Sequence, residues 1–310
     1  MPVVTARSVT RREGTALPTT RPAAQRRRLG TELRELRERA DLRIDDAAAE
    51  LRCSTSKISR LENGKTPPQE RDVRDLVRFY GGSIEVGERL QEMARSGQDN
   101  GWWGDEFKDV FTDRLVAEQL KEYVQLEEYA SAITSYTADV VPGLLQTESY
   151  ITALTELLFS NHDAELRKRF VEFRLRRQRI LHRDDAPRLR FLISEGTLRQ
   201  PVGGSDVATQ QLDAISKRIV ENDPSCVVRI VPLIAVSPAL YGGSFSVIVF
   251  DDPADQDTVL VEGRNAPTYL KSDADVERYG QSFAEIEKVS LDAGASLDAI
   301  EEARAILRQI

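Results

Sequence analysis

The most chemically pointed stretch of the chain runs from Ile44 to Leu61: Ile-Asp-Asp-Ala-Ala-Ala-Glu-Leu-Arg-Cys-Ser-Thr-Ser-Lys-Ile-Ser-Arg-Leu. Ile58 and Leu61, three apart, form the inward stripe of a short helix that Ser54 can cap. Thr55, Ser56, Lys57, Ser59 and Arg60 then fall on its outward side, and every one of them can donate a hydrogen bond. Donors on a helix face, together with the free N–H groups and dipole at the helix start, suit docking in the major groove of duplex DNA. The Arg60 guanidinium can take guanine O6 and N7 together, a contact that discriminates by roughly 1–3 kcal/mol. Its plainer alternative is an exposed arginine paired with a neighbouring acid. For Thr55 and Ser56 the alternative is capping the helix alone.

Two helices that cross closely need a small residue at the contact, and Ala48 supplies it. Leu29, Leu33, Leu36 and Ala40 recur at helical spacing, with charged residues on the remaining faces. Four shorter helices are expected near Asp45 to Leu51, Thr55 to Glu62, Gln69 to Tyr80 and Ile84 to Arg95. Asn63-Gly64, Pro67-Pro68 and Gly81-Gly82 separate them. Residues 29–96 therefore read as a small all-α domain of five helices. Residues 1–28 carry seven arginines against one acid, Glu13, and no apolar periodicity, so they are expected to form a disordered basic arm. Arg21, Arg26, Arg27 and Arg28 could follow a minor groove or merely solubilise the chain. The first 100 residues hold 20 Lys+Arg against 16 Asp+Glu and the other 210 hold 23 against 35, which joins a mildly basic front to an acidic body.

At Ala48, Ser54, Ile58, Leu61 and the Leu61-Glu62-Asn63-Gly64-Lys65 ending, the segment resembles the phage-repressor, or XRE-like, helix-turn-helix family. The resemblance covers roughly Leu29 to Gly81. It implies that Thr55, Ser56 and Arg60 face base edges, while Ser54, Lys57, Lys65 and the chain near Ile44 lie at backbone phosphates and set register. One departure is Arg52, where the family commonly has Gly. If that position needs φ > 0, a side chain there costs about 1 kcal/mol.

Ser96-Gly97-Gln98-Asp99-Asn100-Gly101 marks the domain boundary, and residues 97–310 are expected to form a mixed α/β domain with a small sheet. Helical periodicity holds near Thr112 to Ala132, Thr147 to Phe159 and Ala164 to His182. Strand-like runs appear at Arg188 to Ser194, Cys226 to Pro232, Phe245 to Phe250 and Thr258 to Val261. A helix from about Val207 to Glu221 reads as a crossover between parallel strands, and Asp251-Asp252-Pro253 as a hairpin link. Two terminal helices near Val276 to Leu291 and Leu297 to Leu307 close the chain. The overall class is α+β.

Trp102 and Trp103, the only tryptophans, could stack on a partner or anchor the linker. The arginine-crowded helix from Ala164 could meet an acidic partner, touch flanking DNA or pair with carboxylates of its own domain. Glu195 could be a cleft carboxylate, a helix cap or a buried hydrogen-bonding group. Here the chain resembles a second family, the WhiJ-like and Scr-type regulators of actinomycetes. Gly101-Trp102-Trp103, Leu126-Glu127 with Ala130, Pro142-Gly143-Leu144-Leu145-Gln146-Thr147 with Tyr150, and Arg174 with Arg177-Gln178 carry the likeness. Glu195, Leu198 to Gly204, Pro232-Leu233, Phe245 and Val261-Glu262 extend it. The resemblance implies an antitoxin-like transcriptional regulator of development or antibiotic production, whose C-terminal domain recognises a small partner protein encoded nearby. Trp102, Trp103, Arg174, Arg177 and Glu195 stand as partner or ligand candidates.

Other classes find little support. Gly203-Gly204 and Gly242-Gly243 lack the surroundings of a phosphate-binding loop, and no nucleophile elbow appears, so no catalytic residue is expected. Cys53, Cys226, His162 and His182 have no metal-ligand spacing, and the Asp251 to Asp257 cluster lacks a calcium-loop pattern, so no metal or cofactor is expected. No apolar run is long enough to span a membrane and no secretory leader opens the chain, so a cytoplasmic, nucleoid-associated protein is expected. The expected function is a sequence-specific, homodimeric regulator on a two-fold duplex DNA operator. Alternatives are a metabolite-responsive regulator with a pocket in the C-terminal domain and an antitoxin that chiefly neutralises a toxic partner.

Overall fold

A computed structural model of the chain describes residues 22–64, 66–98, 102–111, 114–252, 255–263 and 267–309. It divides into two compact units, a helical one drawn mainly from Arg12–Asp105 and an α/β one drawn mainly from Glu106–Asp251 and Gln256–Ile310.

The helical unit holds α1 (Pro22–Arg39), α2 (Ile44–Glu50), α3 (Thr55–Glu62), α4 (Glu70–Phe79) and α5 (Ile84–Gln98), with α6 (Trp102–Glu106) after them. Its core is the expected stripe: Leu29, Leu33 and Leu36 of α1 meet Ala47, Ala48, Ile58, Leu61, Val73, Leu76 and Leu90. The first helix corrects the reading of the arm. It starts at Pro22, so Arg26, Arg27 and Arg28 are helical, and Arg26 Nη1 donates to Gly97 O at 3.0 Å. Proline is favoured in a first turn because its missing N–H has no intrahelical partner there. The alanines and glutamine that follow are good helix formers without an apolar period to reveal them. Residues 1–21 of the expected arm lie outside the described residues.

A glycine decides how closely α1 and α3 approach. A Cβ on Gly30 would lie 2.4 Å from Glu62 O, a backbone atom that cannot yield without moving the helix. Gly30→Ala is therefore expected to destabilise the helical unit by about 1–3 kcal/mol through overpacking, read as a lowered midpoint in thermal unfolding; an unchanged midpoint would contradict this crossing.

The α/β unit contains α7 (Arg114–Glu128), β1 (Ala132–Thr137), α8 (Glu148–Leu158), α9 (Ala164–Arg177), β2 (Arg188–Ser194), α10 (Glu195–Leu198) and α11 (Ser205–Glu221). β3 (Cys226–Val231), β4 (Phe245–Val249), β5 (Thr258–Val261), β6 (Thr268–Leu270), α12 (Asp273–Val289) and α13 (Ala293–Leu307) complete it. The six-stranded sheet has the order β3-β2-β1-β4-β5-β6. β2 and β3 run parallel around the α11 crossover and β4 and β5 form an antiparallel pair, both as the spacing implied. Along β2, Leu189, Phe191 and Ile193 enter the core shared with α8, α11 and α13, while Leu192 enters the one built on α12. Helices thus cover both faces.

Two strands escape the sequence reading. β6 is three residues long. β1, in the middle of the sheet between β2 and β4, lies partly where the helical periodicity was extended to Ala132. Its sequence Ala-Ile-Thr-Ser-Tyr-Thr buries Ser135 and Thr137 beside Ile133 and Tyr136, and Ser246 Oγ donates to Ser135 Oγ at 3.0 Å. A strand that buries hydroxyl side chains among its apolar ones shows no apolar alternation.

Candidate nucleic-acid interface

α3 is built from local instructions. Ser54, extended at φ -79°, accepts from Lys57 N at 3.3 Å and so caps the helix, while Ile58 and Leu61 are buried. Thr55, Ser56 and Arg60 are all exposed, on the opposite side from that stripe. Among the described residues Arg60 makes no ion pair, so the guanidinium is free to meet an external acceptor. The turn before α3 carries the expected backbone oddity: Arg52 has φ 50°. A left-handed non-glycine residue costs roughly 1 kcal/mol, offset here by the core that fixes both flanking helices.

The far end of α3 is held by Glu62, whose side chain is buried. Arg37 of α1 grips it with two parallel hydrogen bonds, Nε to Oε1 at 2.7 Å and Nη2 to Oε2 at 2.9 Å. Arg37 also donates Nη1 to Leu42 O at 2.9 Å. The bond to Glu62 holds the Arg37 guanidinium above its ordinary pKa despite burial, which acts the other way. Arg34 reaches Asn63 Oδ1 at 3.0 Å, and Asn63 Nδ2 donates back to Ser59 O at 2.7 Å. Gly64 follows at φ 63°, where a Cβ would strike the Arg27 backbone at 2.8 Å. The Glu-Asn-Gly run that marks this segment in sequence is thus the bracket that orients α3 on α1.

The expected phosphate contacts fare differently. Lys57 is committed internally: its Nζ lies 2.6 Å from Asp72 Oδ2 of α4, a buried carboxylate. Its side chain is still 41% exposed, so a phosphate contact there would share the ammonium with Asp72. Ile44 opens α2, but the first turn holds Asp45 and Asp46, and Asp46 accepts from Arg43 N at 2.7 Å. The positive end of that helix is capped by its own carboxylates, which repel phosphate. Lys65 lies outside the described residues. Sequence reading weighed Arg52 only for its turn and passed over Arg43, both exposed at the edges of the helix-turn-helix; no spacing rule singles out loop arginines as contacts.

In the α/β unit the candidate residues are mostly architectural. Arg177 of α9 pairs with buried Glu127 of α7, Nε to Oε1 at 2.9 Å and Nη2 to Oε2 at 2.8 Å, and lies 4.9 Å over the Tyr123 ring. Burial lowers its pKa, but the Glu127 charge and hydrogen bonds outweigh that and raise it. Arg174 Nη1 donates to Gln146 Oε1 at 3.1 Å; burial, with Arg177 beside it, lowers its pKa to about 10. Gln178 Nε2 donates to Gly143 O and Gln146 O at 3.0 and 2.7 Å, and Gln211 Nε2 to Leu145 O at 2.8 Å. This network pins the 141–147 turn between α9 and α11, so Arg177 is no free ligand contact. Arg169 likewise pairs with Asp109 and Glu172, as expected for an arginine-rich helix in an acidic domain. In the helical unit, Trp103 of α6 is buried and Trp102 half-buried, edge to face at 5.7 Å. Glu195 is a brace: its Oε2 accepts from Leu233 N at 2.9 Å, and its other oxygen takes Arg199. A cleft of about 680 Å³ between Glu148, Ser149, Thr152 and Glu156 on one side and Gly203 and Val207 on the other is wide open to solvent. Among the described residues no His, Cys, Asp and Glu side chains converge to hold a metal, and no helix is long and apolar enough to cross a membrane.

A capped helix with an exposed row of donors, bracketed on a small helical core, defines a helix-turn-helix DNA-binding regulator. Residues 28–90 match the family described as "Helix-turn-helix domain". Residues 120–302 match "Domain of unknown function (DUF5753)", and since that match spans more than half of the chain, the chain belongs to the DUF5753 family. No curated protein and no solved structure matches it.

Proposed function

We propose that the chain is a non-catalytic, sequence-specific transcriptional regulator that binds a two-fold duplex DNA operator as a homodimer. The observation that carries this reading is the exposed α3 face, Thr55, Ser56 and an unpaired Arg60, on a helix whose opposite face, Ile58 and Leu61, is buried in the unit's core. One recognition helix buries too little surface for tight selective binding, and a dimer presents two of them about 34 Å apart. Arg60 reads guanine, Thr55 and Ser56 contact neighbouring base edges, and Ser54 sits at phosphate. Selection of bound fragments from random duplexes at two salt concentrations tests it. Arg60→Ala is expected to abolish preference at one base pair in each half-site, a loss of roughly 1–3 kcal/mol per contact, while binding to unselected DNA persists. An unchanged selection profile would remove the base-reading role.

The α/β unit is the sensor. Its resemblance to WhiJ-like and Scr-type regulators supports an antitoxin-like dock for a small protein encoded nearby, in control of development or antibiotic production. Stabilisation by a co-expressed small protein in a thermal-shift screen supports that dock. Stabilisation by metabolites alone favours a small-molecule sensor, against which the openness of the α8 cleft argues.

A further inference from the structure

The link between β3 and β4 has an unusual surface. Leu233, Ile234, Val236 and Tyr241 are exposed at 59, 89, 80 and 85%. They are four of the nine large hydrophobic side chains exposed among the described residues. From Ile230 through Phe250 there is no Asp, Glu, Lys or Arg, in a chain that is 30% charged. The segment is also firmly placed. Ala235, Ala239 and Leu240 pack inward on the core beside α12, and Ser237 caps the turn Pro238–Gly242. Leu233 N is held by Glu195 and Ala235 N by Pro232 O at 2.9 Å. The same loop therefore buries one set of apolar side chains and presents another in fixed positions, which lowers the ordering cost of any contact made there.

We infer that Leu233, Ile234, Val236 and Tyr241 form the two-fold contact through which two copies of this chain associate. A patch of four such side chains exposes on the order of several hundred Å², the size that marks contact surfaces on soluble proteins. Alone that falls short of a standard interface, but facing its own copy it brings the buried total near the roughly 1,000 Å² that a specific interface needs. A two-fold contact sets a surface against itself, so a charge close to the axis would meet its like. Residues 101–310 hold 23 Lys+Arg against 35 Asp+Glu, so the acidic bodies of two copies repel each other, and this uncharged stretch is where they can approach. A partner recognised by charge would call for charges on the loop. Pairing through β3, the edge strand that leads into the loop, is blocked near its C-terminal end, because Ile230 N donates to Ser296 Oγ at 3.2 Å and Ile230 O accepts from Leu291 N at 2.8 Å. The contact therefore runs through the loop's side chains.

Sedimentation velocity on the full chain without DNA tests this separately from operator binding, at ~0.15 M salt to screen the net charge. The parent chain is expected to be dimeric at micromolar concentration. Ile234→Asp with Tyr241→Asp, and separately Ile234→Lys with Val236→Lys, are expected to weaken the dimer about 100-fold or more and leave far-UV circular dichroism and the unfolding midpoint unchanged. Leu157→Asp, an equally disruptive change at an exposed position on α8, should remain dimeric. A parent that stays monomeric, a loop variant that stays dimeric, or loss of the dimer in the Leu157 control as well overturns the inference. A dimeric parent that shows no sequence preference in fragment selection would leave it standing and remove the DNA-reading role instead.

Discussion

Glu62→Ala is expected to destabilise the helical unit by about 3–5 kcal/mol, the range for removing one partner of a buried ion pair. The carboxylate accepts both bonds of the Arg37 fork, and both side chains are buried. Without it the Arg37 guanidinium keeps one bond, to Leu42 O, and only a looser ion pair at 3.8 Å with the exposed Glu38 to offset its buried charge. Because Glu62 closes α3 and Arg37 lies on α1, the loss loosens the recognition helix from its support. Sequence preference should fall with stability even though no base contact is altered. Arg37→Met combined with Glu62→Leu should recover most of the loss, since an apolar pair of similar volume removes the desolvation penalty with the attraction. Calorimetry of the full chain checks both; a Glu62→Ala midpoint within a degree or two of the parent would mean that water reaches Arg37.

Glu127→Ala should cost the α/β unit a similar amount, about 3–5 kcal/mol, for a compounded reason. It strips the bidentate partner from Arg177 and leaves two neighbouring guanidinium groups, Arg174 and Arg177, facing each other in a buried setting. Glu127→Gln keeps one acceptor oxygen and removes the charge, so it should lie between the parent and Glu127→Ala. The order parent, Gln, Ala in urea midpoints is the expected result, and equal midpoints for Gln and Ala would show that hydrogen bonding contributes nothing there. Helix α8 and the 141–147 turn should report the change, because Gln178 and Gln146 of the same network hold that turn.

Arg177 takes Glu127, and its neighbour Gln178 holds Gly143 O and Gln146 O, so segments far apart in sequence meet around one turn. Arg174 and Arg177 were candidates for contact with a partner because their charges crowd a helix in an acidic domain. The carboxylate and amide that occupy them come from α7 and from the 141–147 turn, and no spacing within α9 reveals those. Lys57 shows the same limit in the helical unit. Its place on the outward side of α3 was legible, but its Asp72 partner belongs to α4 and meets it only after the chain turns back.

Local chemistry was enough to lay out α2 to α5, the cap at Ser54, the outward row Thr55, Ser56 and Arg60, the parallel β2-α11-β3 unit and the β4–β5 pair. Periodicity, caps and breakers act between residues one or two turns apart, so they are written in neighbouring letters. Tertiary structure alone decided that β1 occupies the middle of the sheet, that Gly30 must be bare against Glu62, that Lys57 and Arg177 pair with internal carboxylates, and that the link after β3 faces outward with its apolar side chains. Each of these depends on which distant segment returns to satisfy or to leave uncovered a given group, and that choice is made by burial and pairing across the fold.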